Sequence, residues 1–414
     1  MNKNCFIIKK TIVENNTIKN YYELSGEWSR FFSKEREFML EYSSLIKNVD
    51  LSISNIPIIC NILPMVWVFD AELIVDEIDA DFWYCISSLK KGYMDMYSEM
   101  KFRGKVTAKK IVPHKHLSAS NVACMFSGGA DAFHTMLSHI KESPDLISIW
   151  GADVDIDNVN AWSVVENHIT NTASDYNLKS AFVKSSFRKM INEQELNEFV
   201  IPLAKDNWWH GFQHGIGILG HVAPYAYKYQ IGKLYIASSF VEAQKGQYTC
   251  ASDPTIDNYL RFCGCTVIHD GYSYTRQDKI QQICEFSRNN EYKPYLRVCW
   301  KSKTGRNCCS CEKCFRTILA IYAERQNPQD YGFEYSDKEF KKMISNFKYK
   351  LKSREKEVGV LRYAPIQKAM RKNYHPYEVD YRLKWFYDVH IEKINKTIYT
   401  RLATLVKKMS KNKI

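Results

Sequence analysis

Between residues 121 and 325, short apolar runs bounded by turn residues alternate with longer stretches of helical spacing. Val122–Phe126, Leu146–Trp150, Lys233–Ala237 and Thr266–His269 read as strands. Ala132–Lys141, Ala161–Ser174, Trp208–Tyr229, Thr275–Ser287 and Glu312–Arg325 read as helices, the fourth opening on a Thr275/Asp278 capping box. Strands alternating with helices predict an α/β fold with a doubly wound, mostly parallel sheet. Before this region, residues 1–118 mix strand and helix patterns around the apolar stretch Ile56–Phe69, and His114–Ser120 reads as a connector. After it, the pattern is helical and strongly charged from Asp337, with Pro376 setting off a last segment, Glu378–Lys408. The predicted division is a mixed α+β domain over 1–118, an α/β domain over 119–330 and a basic helical extension over 331–414.

Composition narrows the class. Of 414 residues, 45% are apolar and 14% aromatic, which excludes a disordered chain. Met1–Lys10 lacks the apolar core of a signal peptide, and Ile56–Phe69, interrupted by Pro57, Asn61 and Pro64, is too short to span a bilayer. The expectation is a soluble, cytoplasmic protein with no transmembrane segment. The formal net charge of +12 lies entirely in residues 331–414, which carry 21 Lys+Arg against 9 Asp+Glu. That segment leaves open contact with nucleic acid, an anionic membrane surface or an acidic partner; the simpler reading is a solvated face of helices packed on the core. A homo-oligomer is also left open.

One strand runs straight into a distinctive turn, Phe126-Ser127-Gly128-Gly129-Ala130-Asp131-Ala132. Glycines let the backbone turn tightly, and the helix start behind them offers N–H groups and a positive dipole end, so the turn suits phosphate. Ser127 adds a hydroxyl, and Asp131 stands where it could hold Mg2+ or position a nucleotide. Neither a Walker loop nor a dinucleotide fingerprint fits, because no Gly-Lys-Ser/Thr follows and the G-x-G-x-x-G spacing is missing. A turn that needs glycine only for geometry is the alternative.

Five of the 13 cysteines fall between Cys299 and Cys314. Cys299, Cys308, Cys311 and Cys314 give C-x8-C-x2-C-x2-C, a spacing that lets four thiolates close on one ion. Four sulfur ligands leave no open position, so a zinc there is structural. An iron–sulfur cluster is the competing metal, and a chance group of reduced thiols the remaining alternative. Cys309 is the spare, although a swap with Cys308 stays open. Cys5, Cys60, Cys85 and Cys124 sit in apolar runs and read as ordinary buried thiols.

The turn resembles the Ser-Gly-Gly-x-Asp-Ser signature of the PP-loop (N-type ATP pyrophosphatase) superfamily, with Ala132 in place of the last serine. With the cysteine spacing, residues 121–325 are similar to the 7-cyano-7-deazaguanine synthases of that superfamily, and the segments on either side are extra. The resemblance implies an adenine nucleotide α-hydrolase-like fold, ATP cleaved to AMP and pyrophosphate with Mg2+, structural Zn2+, and a ligase that adenylates a small carboxylate or carbonyl substrate before an amine attacks. Gly151 and Asp153, after the second strand, lie where relatives hold the adenosine. Ser238 and Ser239 follow the third strand, and Asp270 follows the fourth. The stretch from Cys250 through Asp253, Pro254 and Asp257 stands where the synthases line the substrate pocket, without their arginine. His210 replaces part of a Pro-Gly-Arg-Asn turn, where it could approach phosphates; His210 and His214 also stand four apart on one face of a predicted helix, where a metal pair is possible although no glutamate stands between them as in H-E-x-x-H, and local packing or hydrogen bonding is the alternative. Two other functions stay open: RNA modification of the tRNA-thiolation type, with Cys250 or Cys309 as thiol carrier, and a non-catalytic nucleotide-binding assembly protein.

Overall fold

A computed structural model describes residues 3–114, 120–290, 292–353 and 360–391. Most of the connector at 114–120 and the segment beyond Ile391, including Arg401–Ile414, lie outside the described residues. Eleven strands form one mixed sheet: β1 (Cys5–Glu14), β2 (Thr17–Ser25), β3 (Glu37–Tyr42), β4 (Glu72–Asp79), β5 (Lys105–Val112), β6 (Asn121–Met125), β7 (Asp145–Trp150), β8 (Ser180–Ser185), β9 (Ile231–Ala237), β10 (Arg261–Phe262) and β11 (Cys265–Asp270). The strand order is β10-β11-β9-β6-β7-β8-β3-β2-β1-β4-β5.

Within it, β11-β9-β6-β7-β8 is a parallel block. Its order turns back on itself at β6, with later strands added first on one side and then on the other. Four successive residues of β6 and four of β7 are buried, as expected where both faces are covered, whereas β3 and β8 alternate. β8, whose period-2 pattern was not singled out in the sequence, completes the block.

The first 118 residues do not form a separate body. β3 pairs antiparallel with β8 through Leu40–Ser185 and Tyr42–Val183, so β1–β5 continue the same sheet. An exposed edge of β8 would leave a row of backbone groups without partners, and β3 supplies them. The far edge, β5, carries Lys105, Lys109 and Lys110 in salt bridges to Glu72, Asp76 and Glu77 of the neighbouring β4. Ile56–Val68 is a helix, apolar all round and buried over its first 12 residues.

The chain packs as two compact units, divided elsewhere than the composition suggested. One comprises Met1–Ser127, Asp131–Ser273 and Lys303–Gly305 and contains the sheet. The other comprises Gly128–Ala130, Tyr274–Ser302 and Arg306–Ile414. In the second, helices Arg276–Asn290, Glu312–Ala323, Asp337–Ser353 and Val360–Asn373 bury Phe315, Phe347, Tyr363 and Phe386. The described part of the basic extension is therefore built around apolar residues of its own helices. The Thr275/Asp278 capping box is present, with Thr275 N–H donating to Asp278 Oδ2 at 2.8 Å and Asp278 N–H to Thr275 Oγ at 3.2 Å. Among the described residues, no helix is long and apolar enough to cross a membrane.

Candidate active site and metal centre

β6 is the strand at which the order of the parallel block reverses, and the crevice beyond the carboxyl ends of strands at such a point is where ligands bind in open α/β sheets. The Ser127–Asp131 turn leaves β6 there. Phe126 N–H still pairs with Ile147 O of β7 at 2.8 Å, and Phe126 itself is buried against Phe133. Ser127 then emerges to solvent. Gly128 takes φ +73°, a conformation that side chains disfavour, and its carbonyl accepts from Arg297 N–H at 2.7 Å. The helix Ala130–Ser138 starts immediately after. Asp131 and Ala132 are both buried, and Ser239 Oγ, from the loop after β9, lies 3.5 Å from Asp131 Oδ2. The turn is exposed at its serine and backed by a helix N-terminus, which suits a polyphosphate held by main-chain N–H groups.

The loop after β7 depends on Gly151. Its φ is +107°, and a Cβ there would come within 2.3 Å of Ser185 O. The turn so formed leaves Asp153 exposed, while Arg188 donates to Ala152 O at 3.0 Å and stacks its guanidinium 4.8 Å from the Trp209 ring centre.

Four other expected polar residues are committed within the fold. Ser238 is buried and donates to Phe240 O at 2.7 Å. Asp270 accepts from Thr135 Oγ at 2.7 Å and meets His139 Nε2 at 3.2 Å. Asp253 caps the short helix Pro254–Asp257, accepting from Thr255 N–H and Oγ. Asp257 is buried, accepting from Ser252 Oγ and pairing with His269 Nδ1, both at 2.8 Å. Each of these three carboxylates accepts from neighbouring groups of the fold.

The segment Trp208–Tyr229, expected as one helix, is broken. Trp209–Gln213 forms a wide π-type turn, Gly215 at φ +69° interrupts it, and helices Ile216–Gly220 and Ala223–Tyr229 follow. A side chain at Gly215 would strike Ala251 O at 2.5 Å, so the chain bends where Ala251 packs on it. His221 is a core residue: Nδ1 donates to Gly217 O at 2.6 Å and Nε2 accepts from Ser185 Oγ at 2.7 Å. Burial pushes its pKa down to about 4.

His210 and His214 take another role. His210 Nδ1 pairs with Asp206 Oδ2 at 2.8 Å, and the same carboxylate oxygen accepts from Thr249 Oγ at 2.8 Å. Ala251 N–H donates to His210 O at 2.9 Å, which sets Cys250 beside the histidine. Burial opposes ionisation of the Cys250 thiol, but hydrogen bonds with His210 and His214 outweigh it and bring the thiol down to about 7. Hydrogen bonds with Asp206 and Cys250 raise His210 to about 10. Asp206 gave no signal in the sequence; the four-residue spacing of His210 and His214 allowed a metal pair, whereas the fold sets His210 against the Asp206 carboxylate.

In the second unit, the sulfur atoms of Cys299, Cys308, Cys311 and Cys314 all lie within 4.8 Å of one another. Cys299–Cys311 is 3.9 Å and Cys308–Cys314 is 4.0 Å. A tetrahedral ion with metal–sulfur bonds of about 2.3 Å requires sulfur separations of roughly 3.8 Å, so these four residues are positioned to hold a metal. Hydrogen bonds with Cys311 and Cys314 hold the Cys299 thiol well below its ordinary range, and those with Cys299 and Cys311 push Cys314 up. Cys309, at φ +45°, lies outside the group, and burial pushes its thiol up to about 12. Cys311 caps the helix Glu312–Ala323.

Asn307 holds the knuckle together. Its Oδ1 accepts from Val298 N–H at 3.0 Å and Cys299 N–H at 3.3 Å, while Nδ2 donates to Leu296 O at 2.7 Å and Gly332 O at 2.9 Å. One side chain thus fixes the isolated arm that carries Cys299. A lone asparagine between cysteines gave no sequence signal for this.

No family model, no curated protein and no solved structure matches the chain.

Proposed function

We propose that this chain is an ATP-dependent ligase of the PP-loop type, resembling the 7-cyano-7-deazaguanine synthases, which adenylates a small carboxylate or carbonyl compound and hands it to an amine. The observation that carries the reading is the Ser-Gly-Gly turn at the strand where the sheet order reverses, with exposed Ser127 and the helix Ala130–Ser138 behind it. Ser127 and the amides of the turn would hold the polyphosphate, and Asp131 would hold Mg2+. The nucleotide supplies an electrophilic α-phosphorus and a pyrophosphate leaving group. The residues of the turn bring fixed N–H dipoles to the charge that develops as that group departs, where pre-set donors are most effective. Gly151 and Asp153 form the neighbouring wall, where the resemblance puts the adenosine. Ala132, buried in place of the signature serine, removes one hydroxyl and leaves the main-chain cradle in place. Zinc at the four cysteines is structural, because four thiolates complete its shell.

The full chain, given ATP, Mg2+ and a panel of carboxylates, is expected to release AMP and pyrophosphate, and Asp131→Ala to abolish that release. Release of ADP and phosphate alone would contradict the mechanism.

A further inference from the structure

The Cys250 cluster has the parts of an activated nucleophile. Asp206 orients His210 through Nδ1 at 2.8 Å, and Thr249 fixes Asp206 in turn. Cys250 sits between Thr249, whose hydroxyl donates to Asp206, and Ala251, whose N–H donates to His210 O at 2.9 Å, so the chain holds its thiol beside the His210 imidazole. A thiol beside an oriented imidazole is the arrangement that generates a thiolate at neutral pH. Cys250 is only 6% exposed, but the His210 side chain is 39% exposed, so the pair opens to the outside on the histidine's side.

Its place matters as much as its chemistry. Ser239, which touches Asp131, is followed by Phe240, whose ring centre lies 6.1 Å from that of His210. The His210–Cys250 pair therefore neighbours the loop after β9, which touches the proposed nucleotide site through Ser239.

We propose that Cys250 accepts the activated acyl group as a thioester before an amine takes it. The inference rests on the adenylation reading above. The thiolate attacks the carbonyl carbon of the acyl-adenylate: a C–S bond forms, the C–O bond to AMP breaks, and AMP leaves with that electron pair. The His210 imidazolium gives its proton to the departing phosphate or to solvent, which leaves it neutral. A primary amine then attacks the thioester carbon, the C–N bond forms and the C–S bond breaks, and His210 takes the amine's proton. The thiolate–imidazolium pair is restored, no oxidant or reductant is needed, and the product is an amide. Asp206 is a positioning residue, holding the imidazole in the orientation that serves the thiol.

The test separates this step from ATP cleavage by supplying a preformed mixed anhydride, benzoyl-adenylate, to the full-length protein. Intact mass and peptide mapping are expected to show a benzoyl group on Cys250, released by hydroxylamine, and none there in Cys250→Ala or Cys250→Ser. His210→Ala should slow its formation at least tenfold while the circular dichroism spectrum stays unchanged. Iodoacetamide labelling of Cys250 in the wild type should reach half its maximal rate near pH 7 and shift upward in Asp206→Asn. Failure of the wild type to carry benzoyl at Cys250, or labelling of Cys250 with the pH profile of an ordinary thiol, would overturn the proposal. Benzoyl transfer without any ATP–pyrophosphate exchange would support the thioester step and count against the adenylation reading alone.

Discussion

Replacing Asn307 by alanine is the sharpest test of how the four-cysteine site is held. The side chain makes four hydrogen bonds, to Val298, Cys299, Leu296 and Gly332. Leu296, Val298 and Cys299 are buried, so their backbone groups would lose partners in a place with little access to water. At about 1 kcal/mol net for each bond, the loss is roughly 3–4 kcal/mol. That is a large part of the stability of an ordinary domain. The second consequence is local. Cys299 reaches the group from nine residues before Cys308, and Asn307 is what ties its backbone to the knuckle. With that tie gone, one of four ligands must be ordered by the metal itself, and metal affinity should fall by about 10–100-fold. The assay is competition with a chromophoric zinc chelator at fixed pH, together with urea unfolding of zinc-loaded protein. Asn307→Asp keeps the acceptor for Val298 and Cys299 but loses both donors, and should fall between wild type and alanine. An Asn307→Ala protein with zinc affinity within twofold of wild type and an unchanged urea midpoint would refute the reasoning.

Three further outcomes are expected. Cys314→Ser should lose stoichiometric zinc by elemental analysis and Cys309→Ser should keep it, since only the former sulfur lies within the group of four. Folding holds His221 neutral with a pKa of about 4, below the ordinary 6.5, so the unfolded chain binds the extra proton. Stability from this residue is complete above about pH 6.5 and falls by roughly 3 kcal/mol as the pH drops towards 4; urea titrations across that range should flatten in His221→Gln. Gly151→Ala places a Cβ 2.3 Å from Ser185 O at φ +107°, and should cost about 2 kcal/mol or more in urea unfolding as well as disturb the loop that carries Asp153.

The parallel block was legible because its strands are short apolar runs between turn residues, and β6, β7, β9 and β11 fall within one or two residues of where that pattern puts them. The cysteine group was legible because metal-ligand spacing is local. The continuation of the sheet into β1–β5 was not, since nothing in the sequence of β3 names β8 as its partner. The strand-end carboxylates looked alike as text, yet Asp270 and Asp257 meet Thr135, His139, Ser252 and His269, partners up to 135 residues away. The same holds for the thiol site. Cys250 is 40 residues from His210, and the next residue, Ala251, packs on both His210 O and Gly215.

By itself, then, the sequence determined what periodicity and spacing can carry: the α/β block, the glycine turn after its first strand, and four thiolates within reach of one ion. Tertiary structure alone decided which neighbours each polar group meets, because hydrogen-bond satisfaction depends on what the fold brings close and not on order along the chain. It also decided that Cys250 lies beside a histidine 40 residues earlier in the chain, through Ala251 N–H on His210 O.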